Sequence, residues 1–284
     1  MTSQNSLDRF LNFYQKWYTL DQLHALSAQE GRAVLDFNAK GSEWPPLGWF
    51  PKTRWLGTDA LKDSDKNAPN FYVMDAGSLL SVLALDPQPG ESIADICAAP
   101  GGKSLAIAMS MGFKGRLLSS DLSVDRVKRL RYNLRRLNVP ESNNHWTLET
   151  MHASGNVISQ QYAGQFDKVL VDAPCSSEAH VISDSKELNK WSTSKSSLLA
   201  KRQRKLIQSA IKLLKPGGRL VYATCSISPL ENQDVIAFML KKFPDQLEYV
   251  AWEAPVGHAL EYGSSVYPWV HGMGPEYVTR LRKI

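Results

Sequence analysis

From residue 71 onward, short β-type runs alternate with amphipathic segments, and this rhythm constrains the fold more than any other feature of the chain. Alternation of that kind is the habit of a parallel sheet with crossover helices. The strand-like runs are Ser92–Ile96, Arg116–Ser120 ending at Asp121, Phe166–Val171 ending at Asp172, and Arg219–Ala223. Between them the spacing of apolar residues predicts helices. One runs from an Asp75 N-cap through Leu79, Leu80, Leu83 and Ala84, one over Ser104–Met111, a basic one from about Ser123 to Asn138, and one over Leu198–Leu214. Pro89-Gly90 and Lys215-Pro-Gly-Gly218 mark turns. The serine-rich stretch Ser176–Ser197 reads as a long loop.

Residues 1–70 have a different composition. Phe10, Phe13, Tyr14 and Trp17, then Leu23, Ala25 and Leu26, fall at helical spacing and predict two short helices. The stretch Trp44-Pro-Pro-Leu-Gly-Trp-Phe-Pro51 carries three prolines, which disfavour a regular element, and reads as an aromatic loop. The expected organisation is therefore a small, mainly helical N-terminal segment over 1–70 and an α/β domain over 71–284.

Composition bounds the function. Of 284 residues, 43% are hydrophobic and 21% charged, enough for a sizeable core and against wholesale disorder. The three cysteines, Cys97, Cys175 and Cys225, are too far apart for a disulfide-stapled secreted scaffold and lack the close ligand pairs of structural zinc. The longest apolar run, Val235–Leu240, is far short of the roughly 20 residues of a bilayer span, so no membrane association is expected. Met1–Leu20 has neither a signal core nor an acid-free transit pattern. A net charge of +5 permits a polyanionic partner without demonstrating one.

In a doubly wound sheet, ligands bind at the carboxyl ends of the strands. Those positions hold Cys97–Lys103, Asp121, Asp172–Cys175 and Thr224–Ser226, so all three cysteines fall on one sheet edge. The turn Ala98-Ala-Pro-Gly-Gly102 lets backbone approach a ligand closely. Asp121 follows about 20 residues later, the spacing at which an acid accepts hydrogen bonds from a ribose. That pairing implies a nucleoside-containing cofactor. It does not imply NAD or a P-loop nucleotide, since neither the Gly-x-Gly-x-x-Gly pattern nor the first Walker glycine is present. Asp172-Ala-Pro-Cys175 and Thr224-Cys225 each put a thiol at a strand end, where it could act as nucleophile, as half of a redox pair, or as buried filler; metal binding is not expected, since no further Cys or His lies at ligand spacing.

Asp95-Ile-Cys-Ala-Ala-Pro-Gly-Gly-Lys-Ser104, Asp172-Ala-Pro-Cys-Ser176 and Tyr222-Ala-Thr-Cys-Ser226 resemble, in order, the motifs of the Sun-domain RNA (cytosine-5)-methyltransferases. The resemblance runs from about Tyr72 to Arg280-Leu-Arg-Lys283, roughly three quarters of the chain. It implies a Rossmann-like core that uses S-adenosylmethionine. Asp75-Ala76 with the following leucines, and Gly274-Pro275 with Tyr277, are similar to the mitochondrial branch and imply a mitochondrial address; a cytoplasmic one is the alternative.

The resemblance also implies roles. Cys225 is the expected nucleophile, Cys175 the group that assists release, and Asp172 the partner of the cytosine ring. Cofactor contacts are expected from Cys97, Ala98, Ala99, Pro100, Gly101, Gly102 and Lys103, from Asp121 to the ribose, from Arg126 in support, and from Asp172. Ser154 stands where the family usually has an acid near the adenine. The implied partner is RNA, rRNA or tRNA, bound by a monomer, with a protein partner as a further source of specificity. Arg126, Lys128, Arg129, Arg131, Arg135 and Arg136 on one helix, and Lys201, Arg202, Arg204 and Lys205 on another, are candidate RNA contacts. Trp44, Trp49, Phe50 and Trp55 could stack bases or cap the core. A DNA cytosine-5 methyltransferase and a silent RNA-binding scaffold are the competing readings.

Overall fold

The computed structural model describes residues 3–28, 30–36, 45–57 and 71–284. The expected strands are present as β4 (Ser92–Asp95), β5 (Gly115–Asp121), β8 (Phe166–Asp172) and β9 (Leu214–Thr224), joined by β7 (Trp146–His152). They pair in parallel in the order β9-β8-β4-β5-β7. The strand β13 (Glu276–Lys283) adds antiparallel to β9 and places Tyr277 opposite Thr224. Chain order reverses at β4, which has β5 on one side and β8 on the other, and a crevice opens at such a switch point.

Alternate residues of each strand enter opposite layers. Ile93, Leu117, Leu170 and Val221 join one cluster with α3 (Leu79–Leu85), α4 (Gly102–Ser110) and α5 (Val124–Arg136). Ala94, Leu118, Val169, Val171 and Tyr222 join the other with α6 (Gly155–Gln161), α9 (Thr193–Leu213) and α10 (Gln233–Lys242). A strand buried on both faces must be apolar at successive positions, which explains the unbroken runs that mark these strands in the sequence.

Three expectations are corrected. Asp75 does not cap the first helix of the sheet domain; α3 starts at Leu79, and the Asp75 carboxylate accepts from Gly77 N at 2.8 Å and Gly274 N at 2.9 Å. Ser176–Ser197 is not a loop: it folds into α7 (Glu178–Ser183), α8 (Ser185–Lys190) and the first turn of α9. Val181, Leu188 and Trp191 bury their side chains against Phe10, Tyr14, Leu23 and Leu26, and such short helices take their stability from packing rather than propensity. Finally, the N-terminal segment contains strands as well as helices.

Its two predicted helices are α1 (Ser3–Tyr14) and α2 (Leu20–His24), the latter held by a Thr19/Gln22 capping box. After them, β1 (Gly31–Asp36) pairs antiparallel with β2 (Thr53–Gly57) and β3 (Phe71–Met74), a three-stranded sheet that periodicity did not show. The division near residue 70 falls in 58–70, outside the described residues, as does Trp44. Phe50 is buried in the first core cluster with Trp49 and Trp55 packed on it, so the described part of the aromatic loop caps the core.

Candidate active site

At the switch point, the turn after β4 runs straight into α4. Gly101 adopts φ +113°, and a Cβ there would lie 2.9 Å from the Leu130 side chain. Only glycine takes that turn without strain, and its tightness lets α4 start directly beneath the sheet edge. Arg126 donates to the Ala99 carbonyl and lies 3.4 Å from Asp121 Oδ2; Asn133 donates to the Pro100 carbonyl at 2.8 Å. The turn is thus held from α5.

A cavity of about 610 Å³ opens beside it, walled by Ile96, Cys97, Asp121, Arg126, Ser154, Pro174 and Leu206. Its walls bring together Cys97, Asp121, Arg126 and Ser154 of the expected cofactor set. Ala98, Ala99, Pro100, Gly101, Gly102, Lys103 and Asp172 lie outside those walls, with Ala98 and Ala99 packed into the core and Gly102 and Lys103 buried in α4. Ser154 already caps α6, its hydroxyl accepting from Val157 N at 3.3 Å. Asp121 is 4% exposed; its Oδ1 accepts from Ser123 N at 3.0 Å, whereas the buried Oδ2 has no hydrogen-bond donor. Behind the turn, Asp95 is buried and pushed up to about 7 by desolvation, even though it accepts from Ser104 Oγ at 2.7 Å.

Next to this cavity, the loops after β8 and β9 bring the two thiols together. Cys175 Sγ lies 3.1 Å from Cys225 Sγ, and Ser177 Oγ lies 3.1 Å from Cys225 Sγ. Cys225 is exposed and Cys175 half-buried. Hydrogen bonds from Cys175, and then from Ser177, hold the Cys225 thiol below its ordinary value against the desolvation of its sulfur by the surrounding loops; the same contact, followed by desolvation, pushes Cys175 up. The pair is therefore polarised, with Cys225 the more readily ionised thiol and Cys175 the donor to it. Desolvation first, then the neighbouring carboxylates, keeps the Cys97 thiol protonated.

Beneath them Lys103 is buried, with Nζ 2.7 Å from Asp172 Oδ1 and 2.9 Å from Glu276 Oε1. The two carboxylates keep its ammonium charged against desolvation. This pairing fixes Asp172 at the end of β8 and connects it to β13. Neither Glu276 nor Ser177 could be singled out by sequence pattern, since each meets the site only through sheet pairing or a loop contact.

A second hollow of about 390 Å³ opens over Cys225, lined by Arg32, Asp75, Ser177, His180 and Pro275. Arg32 comes from β1, so the N-terminal segment reaches the thiol site. Larger hollows, about 780 and 840 Å³, lie at the opposite end of the sheet around Lys215–Arg219 and beside Leu47–Arg54, away from every strand-end motif. Several basic residues expected at RNA are already engaged: Arg131 binds Thr150, Arg135 binds Glu141, Arg136 binds the Phe71 carbonyl, and Arg204 lies over Phe238. Arg202 and Lys205 line the cofactor-sized cavity.

Comparison with known proteins agrees with this geometry. The family model for 16S rRNA methyltransferase RsmB/F matches residues 82–282. Ribosomal RNA small subunit methyltransferase F of Klebsiella pneumoniae (strain 342) is 35% identical over 261 residues, covering 86% of this chain and 52% of that protein. Its counterpart in Escherichia coli (strain SE11) is 33% identical over 255 residues, with 84% and 51% covered. The chain spans about half the length of the curated relatives it matches. Among solved structures, a methyltransferase homolog protein from Pyrococcus horikoshii aligns with TM-score 0.77 and 25% identity over 96% of this chain and 98% of that one. NSun6 from Pyrococcus horikoshii, crystallised with SFG, aligns with TM-score 0.65 and 27% identity over 82% and 58%. These matches bear on the family and the Rossmann-like core, not on a branch or a compartment. Because the family model spans the cofactor turn and both thiol loops, the chain belongs to the 16S rRNA methyltransferase RsmB/F family.

Proposed function

We propose that this chain transfers a methyl group from S-adenosylmethionine to carbon-5 of a cytosine in RNA, ribosomal RNA first, through a covalent adduct on Cys225. The observation that carries the reading is the polarised thiol pair, 3.1 Å apart, at the sheet edge that also holds the cofactor-sized cavity. The cavity fits the cofactor: its volume lies within the usual range for small-molecule sites, its walls are largely apolar, and Asp121 Oδ2, ion-paired with Arg126 at 3.4 Å, makes no hydrogen bond and keeps acceptor capacity for a ribose hydroxyl. The relative solved with SFG, an analogue of S-adenosylmethionine, supports the same choice. When bound, S-adenosylmethionine supplies an electrophilic methyl group on its sulfonium.

Carbon-5 of cytosine is too weak a nucleophile on its own. In this reading the Cys225 thiolate adds at carbon-6 and pushes electron density onto carbon-5. Asp172, steadied through Lys103, accepts or donates at the ring edge whose protonation changes. Cys175 holds Cys225 ready before addition and assists the elimination that frees the methylated RNA. A base can reach Cys225 only when unpaired or extruded from its stack. A mitochondrial address and transfer RNA as the alternative substrate rest on the resemblance alone; monomeric action and a targeting protein partner belong to the same reading.

The test incubates wild type, Cys225→Ala and Cys175→Ala with labelled cofactor and either RNA or a matching DNA. Methyl transfer to RNA is expected from wild type, none from Cys225→Ala, and a trapped protein–RNA adduct from Cys175→Ala. An active Cys225→Ala would overturn the nucleophile; transfer to DNA alone would favour the DNA reading. RNA binding by wild type without transfer would favour a scaffold.

A further inference from the structure

Beneath the two thiols lies a buried polar cluster. Glu178 on α7 and Glu231 on the 3-10 turn Pro229–Glu231 are both fully buried. The Ser176 hydroxyl, next to Cys175, contacts Glu178 Oε1 and Glu231 Oε1, and lies 3.2 Å from Ser226 Oγ. Glu178 Oε1 also accepts from Tyr14 at 2.5 Å and Ser226 Oγ at 3.0 Å, and its Oε2 accepts from Ile227 N at 3.1 Å. Glu231 Oε2 accepts from Ser176 N at 3.0 Å and Gln203 Nε2 at 2.9 Å.

A count of protons decides the ionisation of this pair. A serine hydroxyl carries one hydrogen, yet two carboxyl oxygens face it. With both glutamates ionised, one contact would set lone pair against lone pair, between two buried negative charges. One extra proton resolves the arrangement: Glu231 Oε1 donates to Ser176 Oγ, and Ser176 donates to Glu178 Oε1. The reverse assignment is the poorer one, because a protonated Glu178 Oε1 would have to donate to Ser176 while still accepting from Tyr14 and Ser226, whereas Glu231 Oε1 faces Ser176 alone.

We propose that Glu178 and Glu231 hold one shared proton across the Ser176 hydroxyl, with Glu231 the protonated member, and that this pair positions the Cys175 and Cys225 loops. Ser176 follows Cys175, Ser226 and Ile227 follow Cys225, and all three are tied to the pair. Tyr14 latches α1 to it. The titratable groups facing Glu231 are Glu178 on α7, Tyr14 on α1, Cys175 after β8 and Tyr222 on β9. Burial first, and then the Glu178 charge, push Glu231 up to about 7, in agreement with the count. An unfolded glutamic acid releases its proton near pH 4.3. The folded state therefore holds the extra proton between about pH 4 and 7, and the contribution of Glu231 to stability falls as pH rises through that window.

The test needs no substrate, so it stands or falls apart from the reaction proposed above. Glu231→Gln reproduces the protonated carboxyl, its amide donating to Ser176 while its oxygen accepts from Ser176 N and Gln203. Glu178→Gln must turn an amide donor toward other donors. Melting temperature is followed from pH 5 to 8.5, with iodoacetamide alkylation of Cys225 at pH 7 read by mass spectrometry. Glu231→Gln should match wild type near pH 5 and melt progressively higher than it as pH rises, with alkylation within about twofold of wild type. Glu178→Gln should melt lower at every pH and slow alkylation by roughly fivefold or more, as Cys225 loses its placed donors. Should Glu178→Gln fail to fold, Tyr14→Phe supplies a milder loss in the same direction. A Glu231→Gln variant whose melting temperature follows the wild-type pH dependence, or that is damaged as severely as Glu178→Gln, overturns the proposal.

Discussion

At the scale of the residue, Lys103 shows how a motif position acquires its meaning. In sequence it closes the glycine turn and looks available to a ligand; in the structure its ammonium is buried between Asp172 and Glu276. Desolvation pushes the Glu276 carboxyl well above its ordinary range, and only the Lys103 charge opposes that shift strongly. Lys103→Met should cost about 3–5 kcal/mol in urea unfolding, because it leaves a buried carboxylate unpaired. With the cation gone, Glu276 holds its proton to still higher pH, so the penalty should shrink toward pH 5 and grow toward pH 8. A penalty independent of pH would contradict this account. The three cysteines divide in the same way: side-chain identity makes each a possible nucleophile, but Ser177 Oγ stands 3.1 Å from Cys225 and 3.6 Å from Cys175, and of the three only Cys225 is exposed.

At the scale of the element, strand ends and helix starts do the positioning. Asp121 closes β5, Ser123 caps α5, and Arg126 one turn later reaches back to the glycine turn. Gly101→Ala forces a side chain into a left-handed φ and against Leu130. It should lower stability by roughly 1–3 kcal/mol and weaken S-adenosylmethionine binding measured by calorimetry, leaving RNA binding in place. These βα units were legible in the sequence because each strand is a short apolar run that stops at a charged or small residue. The helices α7 and α8 were not. Their composition is that of a loop, and only the apolar groove between α1 and the sheet domain makes Val181, Leu188 and Trp191 worth burying.

At the scale of the whole molecule, the N-terminal segment belongs to the site as much as to the surface. Tyr14 joins the polar cluster under the thiols, and Arg32 lines the hollow above Cys225. An exposed arginine at the mouth of a nucleotide-sized hollow is suited to a phosphate. Arg32→Ala should raise KM for RNA about tenfold and lower its salt dependence, with kcat and melting temperature little changed. Loss of kcat at unchanged KM would assign Arg32 to another task.

The sequence by itself determined the α/β order, the strand ends and the identities of the groups there, because hydrophobic periodicity and turn chemistry are local properties of the chain. Tertiary structure decided which of those groups meet. Cys175 and Cys225 are 50 residues apart and touch because β8 and β9 are neighbours in parallel. Lys103 meets Glu276 because β13 returns antiparallel beside β9. Glu178 and Glu231 share a hydroxyl because α7 folds over the thiol loops, and their proton depends on a burial that no local pattern encodes. Distances between side chains, and the desolvation that sets their charges, arise only when segments distant in sequence close around them.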